Sequence, residues 1–174
     1  EKYIPQAIEK GIKIIISENF YSEYEGITWI IVEDSVKFLQ DLAKYHVEKN
    51  TQLQTIGITG SNGKTIVKEW LYQCLWNEMP TVKSPKSFNS QIGLPLSLLQ
   101  ISTKHQLGIF EVGISKPSEM AVLEDIFSPK IGILTHIGTA HSSNFKNEEQ
   151  LIEEKILLFK NSETILFNGD NVLV

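Results

Sequence analysis

From residue 53 onward, short apolar runs rich in β-branched residues alternate with stretches of helical periodicity, and no other feature constrains the fold as strongly. Strands are expected at 54 to 59, near 81 to 84, at 106 to 112, 130 to 135 and 163 to 167, and helices at 64 to 77, 92 to 100, 117 to 127 and 147 to 160. The strand runs lack two-residue alternation, which is the pattern of strands covered by helices on both faces. The expectation is a doubly wound α/β domain with a mostly parallel sheet, and such sheets bind ligands outside the carboxyl ends of their strands. Local chemistry agrees: Asn147 with Gln150 suits a helix N-cap and its reciprocal partner, and Glu148 and Glu149 suit the first turn.

Residues 1 to 50 read differently. Two β-branched runs, 12 to 18 and 28 to 34, read as buried-type strands, followed by a helical pattern for which Asp34 is the expected N-cap. Two strands and one or two helices are too little for a robust domain, so this piece is expected to be the end of a preceding small α/β domain, with 51 to 174 the start of the next. The absence of an initial Met and the abrupt close at "NGDNVLV" lead to the same expectation, that of a fragment.

The net charge of −5 and a pI near 5.4 offer no basic face for nucleic acid, so an anionic ligand would have to be met by a few concentrated cations. No apolar run approaches the roughly 18 residues of a membrane span, and the N-terminus lacks a basic segment followed by an apolar one. Cys74, the only cysteine, excludes an internal disulfide, is expected in the core of its helix, and points to a reducing compartment.

The stretch "TIGITGSNGKTIVKEWLYQCL", residues 55 to 75, joins a strand ending near Thr59 to a helix with apolar residues Ile66, Val67, Trp70, Leu71, Cys74 and Leu75. A strand, a glycine-rich turn and a helix N-terminus together form the setting of a phosphate loop. Gly57, Gly60 and Gly63 are expected to let the backbone wrap its N–H groups around phosphate oxygens, with Ser61 and Asn62 between them. Lys64 would place a charge on the terminal phosphates and Thr65 a hydroxyl on Mg²⁺. The strict G-x-x-x-x-G-K-[ST] pattern fails because its first glycine falls on Ile58. A glycine-rich turn with an incidental lysine is the plain alternative.

"GITGSNGKT", residues 57 to 65, resembles the ATP-binding loop of the Mur ligases, which form amide bonds in peptidoglycan precursors and share this departure from the strict pattern. The resemblance implies the family's central ATPase fold, ATP, two Mg²⁺ ions and cytoplasmic location. "QLGIFEVG", residues 106 to 113, is similar to the family's E-[MV]-G motif, whose glutamate, here Glu111, ligates Mg²⁺. Alone, an acid at a strand end is as readily a solvated charge. His141 in "THIGTAHSSNF" matches the histidine of the second magnesium, although imidazole is not a favoured ligand for so hard an ion. Lys155 in "LIEEKILLF" matches the lysine that the family carries as a carbamate. By spacing alone it is an ordinary lysine, but its helical neighbours Leu151, Ile152, Leu158 and Phe159 make an apolar face that argues against full exposure.

"SPKSFNSQIGLPLSLL", residues 84 to 99, is similar to the N-x-x-I-G-x-P-x-x-L segment of the branch that adds D-alanyl-D-alanine to UDP-N-acetylmuramoyl-tripeptide. In it Asn89 and Gln91 either face the nucleotide and the uridylated substrate or merely cap the helix that follows. On this reading residues 1 to 50 end a UDP-sugar-binding domain, and the family's adenine-contacting segment and amine-binding domain lie beyond Val174. The chain alone is then expected to be inactive, and the parent could carry a downstream alanine racemase. Competing readings are another Mur ligase, an NTP-hydrolysing switch, for which no N-K-x-D base-reading motif is present, and a non-catalytic sugar-nucleotide-binding protein, which needs neither Lys64 nor Glu111.

Overall fold

A computed structural model of the chain describes residues 2–138 and 144–170. It divides into two compact units, Glu1–Leu39 and Gln40–Val174. The first contains helix α1 (Ile4–Glu9) and strands β1 (Ile14–Ser17) and β2 (Thr28–Ile31), paired parallel with Ile14 opposite Thr28. Helix α2 (Ser35–Glu48) begins in this unit, and its cap is the expected one: Asp34 Oδ1 accepts from the N–H groups of Val36 and Lys37 at 2.8 and 2.9 Å. The strands are where the sequence places them, but they are not buried. Ile14, Ile16, Ile30 and Ile31 are all exposed, because two strands and a short helix supply no second layer, and Ile4 is the only buried residue among the described residues of this unit. Phe20, Tyr21 and Tyr24 gather around the Trp29 ring at centroid separations of 6.0, 5.3 and 6.4 Å.

The second unit is built on a five-stranded sheet in the order β4-β5-β3-β6-β7, every described pairing parallel. Its strands are β3 (Gln54–Thr59), β4 (Thr81–Lys83), β5 (Leu107–Glu111), β6 (Ile131–Leu134) and β7 (Thr164–Phe167). Helices α3 (Lys64–Leu75), α4 (Gly93–Leu98), α5 (Glu119–Ile126) and α6 (Glu148–Ile156) connect them, α6 tightening into a 3-10 turn at Leu157–Phe159. The doubly wound expectation holds, and the strand order places β3 between β5 and β6, a topological switch point of the kind that binds ligands.

One face of the sheet packs Ile56, Ile58, Leu107 and Ile109 against Val67, Leu71 and Leu75 of α3. The other carries the larger core, including Leu94, Phe110, Leu123, Phe127, Leu151 and Phe159. β5 is buried along its whole length, whereas β7 has exposed Ile165, Leu166 and Phe167 and among the described residues pairs only with β6. Only one stripe of α3 faces the sheet. Ile66 and Trp70 are exposed, and so is Cys74, contrary to the expectation of a core cysteine.

Gly57 also differs from expectation. It lies inside β3, not in the loop, and a Cβ there would come within 2.6 Å of Pro129, so its role is to admit that ring onto the sheet. Gly132, its partner on β6, would meet Phe159 at 2.4 Å, and Gly108 on β5 would meet Phe110 at 2.5 Å.

Candidate functional site

The loop between β3 and α3 takes its shape from two glycines in the left-handed half of backbone space. Gly60 has φ +147° and Gly63 +86°, and any side chain at Gly60 would strike the Thr135 hydroxyl, 2.0 Å from the Cβ position. Partners from the chain after β6 fix the loop. Ser61 N–H donates to the His136 carbonyl at 2.7 Å, Ser61 Oγ to the Gly138 carbonyl at 2.9 Å, and Thr135 Oγ1 to the Asn62 carbonyl at 2.6 Å. Thr135 and His136 were not legible as site residues, since their contribution is largely one of backbone and short hydroxyl contacts across the sheet.

Gly63 caps α3 without a side-chain cap bond, leaving the helix N-terminus open for an anion. The Lys64 ammonium lies back over the loop, donating to the carbonyls of Gly60 at 2.7 Å and Ser61 at 3.3 Å. Burial pulls it below the ordinary lysine value, against the opposing influence of the Glu111 carboxylate.

Glu111, the last residue of β5, is fully buried. Thr65 Oγ1 donates to its Oε2 at 2.8 Å, and Asn89 Nδ2 approaches its Oε1 at 3.4 Å. The Thr65 hydroxyl also lies 3.3 Å from Ser87 Oγ, a neighbour the sequence did not single out. A buried carboxylate without a cationic bond partner among these contacts, next to the Thr65 and Ser87 hydroxyls, offers oxygen donors suited to a hard divalent cation. Gly113 permits the approach: it donates its N–H to the Asn89 carbonyl at 2.8 Å, and its Cβ would sit 3.1 Å from the Asn89 amide.

Lys155, in the last turn of α6, is 2 % exposed, and its Nζ donates to the Gly60 carbonyl at 3.3 Å. Burial first, and the charge of Lys64 second, lower its ammonium to about 8. The apolar face expected around it is present, with Leu151, Ile152, Leu158 and Phe159 all buried. The cap residues of α6 also behave as read: Asn147 Oδ1 accepts from Gln150 N–H at 2.9 Å, and Gln150 Oε1 accepts from Lys146 N–H at 2.8 Å.

Lys64, Asn89, Gln91, Ser115, Glu119 and Lys155 line a cavity of about 340 Å³. Of the two polar residues considered for substrate, Asn89 turns to Glu111, while Gln91 donates to the Glu119 carbonyl at 3.0 Å and accepts from Gln40 at 3.1 Å. Gln91 thus ties the cavity wall to α2 and α5. A second groove at the ends of β6 and β7 is lined by Thr135, His136, Asn168 and Asp170. His141 lies outside the described residues. His46 bonds the Ile101 carbonyl at 2.8 Å and His105 accepts from Ser102 N–H at 3.0 Å, both structural contacts.

Residues 58–173 match the Mur ligase middle domain. The chain is 39 % identical over 153 residues to the UDP-N-acetylmuramoyl-tripeptide–D-alanyl-D-alanine ligase of Borreliella burgdorferi, covering 87 % of this chain and 33 % of that protein. It is 35 % identical to the Treponema pallidum protein of the same name, over 90 % of this chain and 36 % of that one. Among solved structures it resembles the MurF ligase of Thermotoga maritima in complex with ADP, with a TM-score of 0.83 and 31 % identity over 98 % of this chain and 40 % of that chain. The chain spans about a third of the length of these curated relatives.

Proposed function

The chain belongs to the Mur ligase family, and from that premise we propose that it is the nucleotide-binding part of an ATP-dependent ligase that joins D-alanyl-D-alanine to UDP-N-acetylmuramoyl-tripeptide. Residues 51–174 are then the first part of the central domain, and residues 1–50 the end of the UDP-sugar-binding domain. The observation that carries the reading is the 2.8 Å bond between the Thr65 hydroxyl and the fully buried Glu111 carboxylate, beside the ammonium of Lys64. Phosphoryl transfer depends mainly on positioning and electrostatics, and this cluster supplies the parts for both.

In this reading the backbone N–H groups from Gly60 to Gly63 cradle the phosphates of ATP at the α3 N-terminus. Lys64 exchanges its loop carbonyls for the terminal phosphate and neutralises charge as the γ-phosphoryl passes to the peptide carboxylate. The resulting acyl phosphate is attacked by the amine of the dipeptide, which expels phosphate. Thr65 and Glu111 would hold Mg²⁺, with Asn89 orienting the Glu111 carboxylate. Bound there, the ion would offset negative charge on the phosphates.

Lys155 is assigned by family resemblance to the second ion, together with His141. Its amine, lowered to about 8, is partly neutral near physiological pH. Attack of that amine on CO₂ forms an N–C bond and releases a proton, converting a cation next to Lys64 into an anion able to hold a metal. A cytoplasmic location fits these substrates, and no helix among the described residues is long and apolar enough to cross a membrane.

The test is phosphate release by the full-length natural protein with ATP, Mg²⁺ and UDP-N-acetylmuramoyl-tripeptide, with and without D-alanyl-D-alanine. Release that requires the dipeptide is expected, and Lys64→Ala should reduce it at least about 100-fold. Release supported by a different amino acid would change the member of the family. Release independent of amine and acceptor would replace the ligase reading with a nucleotide hydrolase.

A further inference from the structure

Lys68 has no place in the chemistry above, yet it is among the largest fully buried side chains of the unit, with no exposed surface. An ammonium loses its hydration on burial and persists in the interior only where protein acceptors replace it. Lys68 Nζ donates to the Ser84 carbonyl at 2.9 Å and to the Lys86 carbonyl, and lies 3.4 Å from Glu69 Oε1. All three ammonium protons therefore have an acceptor. Two of those acceptors are main-chain carbonyls flanking Pro85, in the segment that runs from the end of β4 to Asn89.

That segment delivers Ser87 and Asn89 to the Thr65–Glu111 pair. Its course requires Lys86 to hold φ +46°, a left-handed conformation that costs a non-glycine residue free energy and persists only where its surroundings impose it. Ser84 reaches the same centre from the other side, its Oγ accepting from the Glu111 N–H at 3.2 Å. Lys68 follows Thr65 by three residues on α3, so the two side chains leave the same face of the helix. Thr65 meets Ser87, and Lys68 meets Ser84 and Lys86. The segment is thus fastened along α3 by two rungs, one of which is the proposed metal-binding hydroxyl.

Resting on the ligase reading of the Thr65–Glu111 site, we infer that Lys68 is a positioning residue for the metal–nucleotide centre, acting through the 84–89 segment. It does not touch nucleotide or metal. By clamping the carbonyls of Ser84 and Lys86 to the phosphate-loop helix, it fixes where Ser87 and Asn89 stand relative to Thr65 and Glu111.

The experiment measures Mn²⁺ affinity in the presence of AMP-PNP by electron paramagnetic resonance of free Mn²⁺, on the full-length natural protein and its variants. Lys68→Met is expected to weaken Mn²⁺ about tenfold, the scale on which outer partners of metal ligands act. In a Ser87→Ala background Lys68→Met should add little further loss, since both substitutions release the same segment. Lys86→Gly, which relieves the left-handed strain, should recover part of the loss in the Lys68→Met background. If Lys68→Met does not fold, Lys68→Gln replaces it in the same cycle. A variant at position 68 that binds Mn²⁺ within about twofold of the parent overturns the inference, as does a loss that simply multiplies with that of Ser87→Ala. Failure of the unsubstituted protein to bind Mn²⁺ with AMP-PNP would instead overturn the site reading on which the inference rests.

Discussion

Helices α3 and α6 each bury a lysine, one against the segment after β4 and one against the phosphate loop, and the two are solvated by the protein in opposite ways. Lys68 of α3 has three acceptors within bonding reach, two of them carbonyls aligned by a strained turn. Lys155 of α6 has one carbonyl at 3.3 Å and the positive charge of Lys64 nearby. Equal burial therefore has unequal consequences. The fully bonded ammonium acts as a tie within the fold, whereas the poorly bonded one is an amine whose charged form is disfavoured and which is open to chemistry.

The contrast is most sharply tested by Lys155→Met. Ligase turnover of the full-length protein should fall at least about 100-fold, while its melting temperature stays level or rises, because an ill-matched buried cation has been replaced by an apolar chain. A drop of several degrees would show that Lys155 is a structural tie after all. Lys68→Met should behave in reverse as regards stability: two carbonyls lose their donor at a cost of about 2–4 kcal/mol in denaturant unfolding. A loss below about 0.5 kcal/mol would erase the distinction between the helices.

The pH dependence follows from the same difference. The folded-state value of Lys155 lies near 8 and its unfolded value near 10.5, so between these limits the unfolded chain binds more protons and stability contributed by this group rises with pH. Unfolding free energies across that window should rise more steeply for the parent than for Lys155→Met, and parallel curves would contradict the assignment. The smallest effect is expected at Glu69, whose carboxylate is partly exposed and is also bonded by Lys83. Glu69→Gln should cost under about 1 kcal/mol, which denaturant titration can resolve, because the carbonyls do most of the holding of Lys68.

The order of elements was legible because periodicity, caps and glycines agreed. β3 falls on the expected 54–59, and the Asp34 and Asn147 caps form as read. The apolar neighbours of Lys155 foretold its burial, since residues three and four apart on a helix share its environment. What escaped notice depends on partners distant in sequence. Gly57 looked like part of the loop because it sits next to one, and only the fold brings Pro129 over it. Gln91 is committed to Gln40, 51 residues earlier. Lys68 is solvated by main-chain carbonyls, which every residue possesses and which leave no mark on composition. The polar face expected of an amphipathic helix hid it.

The three glycines that thin the sheet under the large core, Gly57, Gly108 and Gly132, carry a consequence for heredity. Any missense change in a glycine codon adds at least a methyl group, so at these sites no amino-acid replacement is neutral by being smaller. A lineage could alter an exposed loop residue such as Asn62 in one step. To replace Gly132 it would first have to shrink Phe159, and to replace Gly57 it would first have to move Pro129. Such positions are reachable only by paired mutations, in which the aromatic or proline partner changes before the glycine.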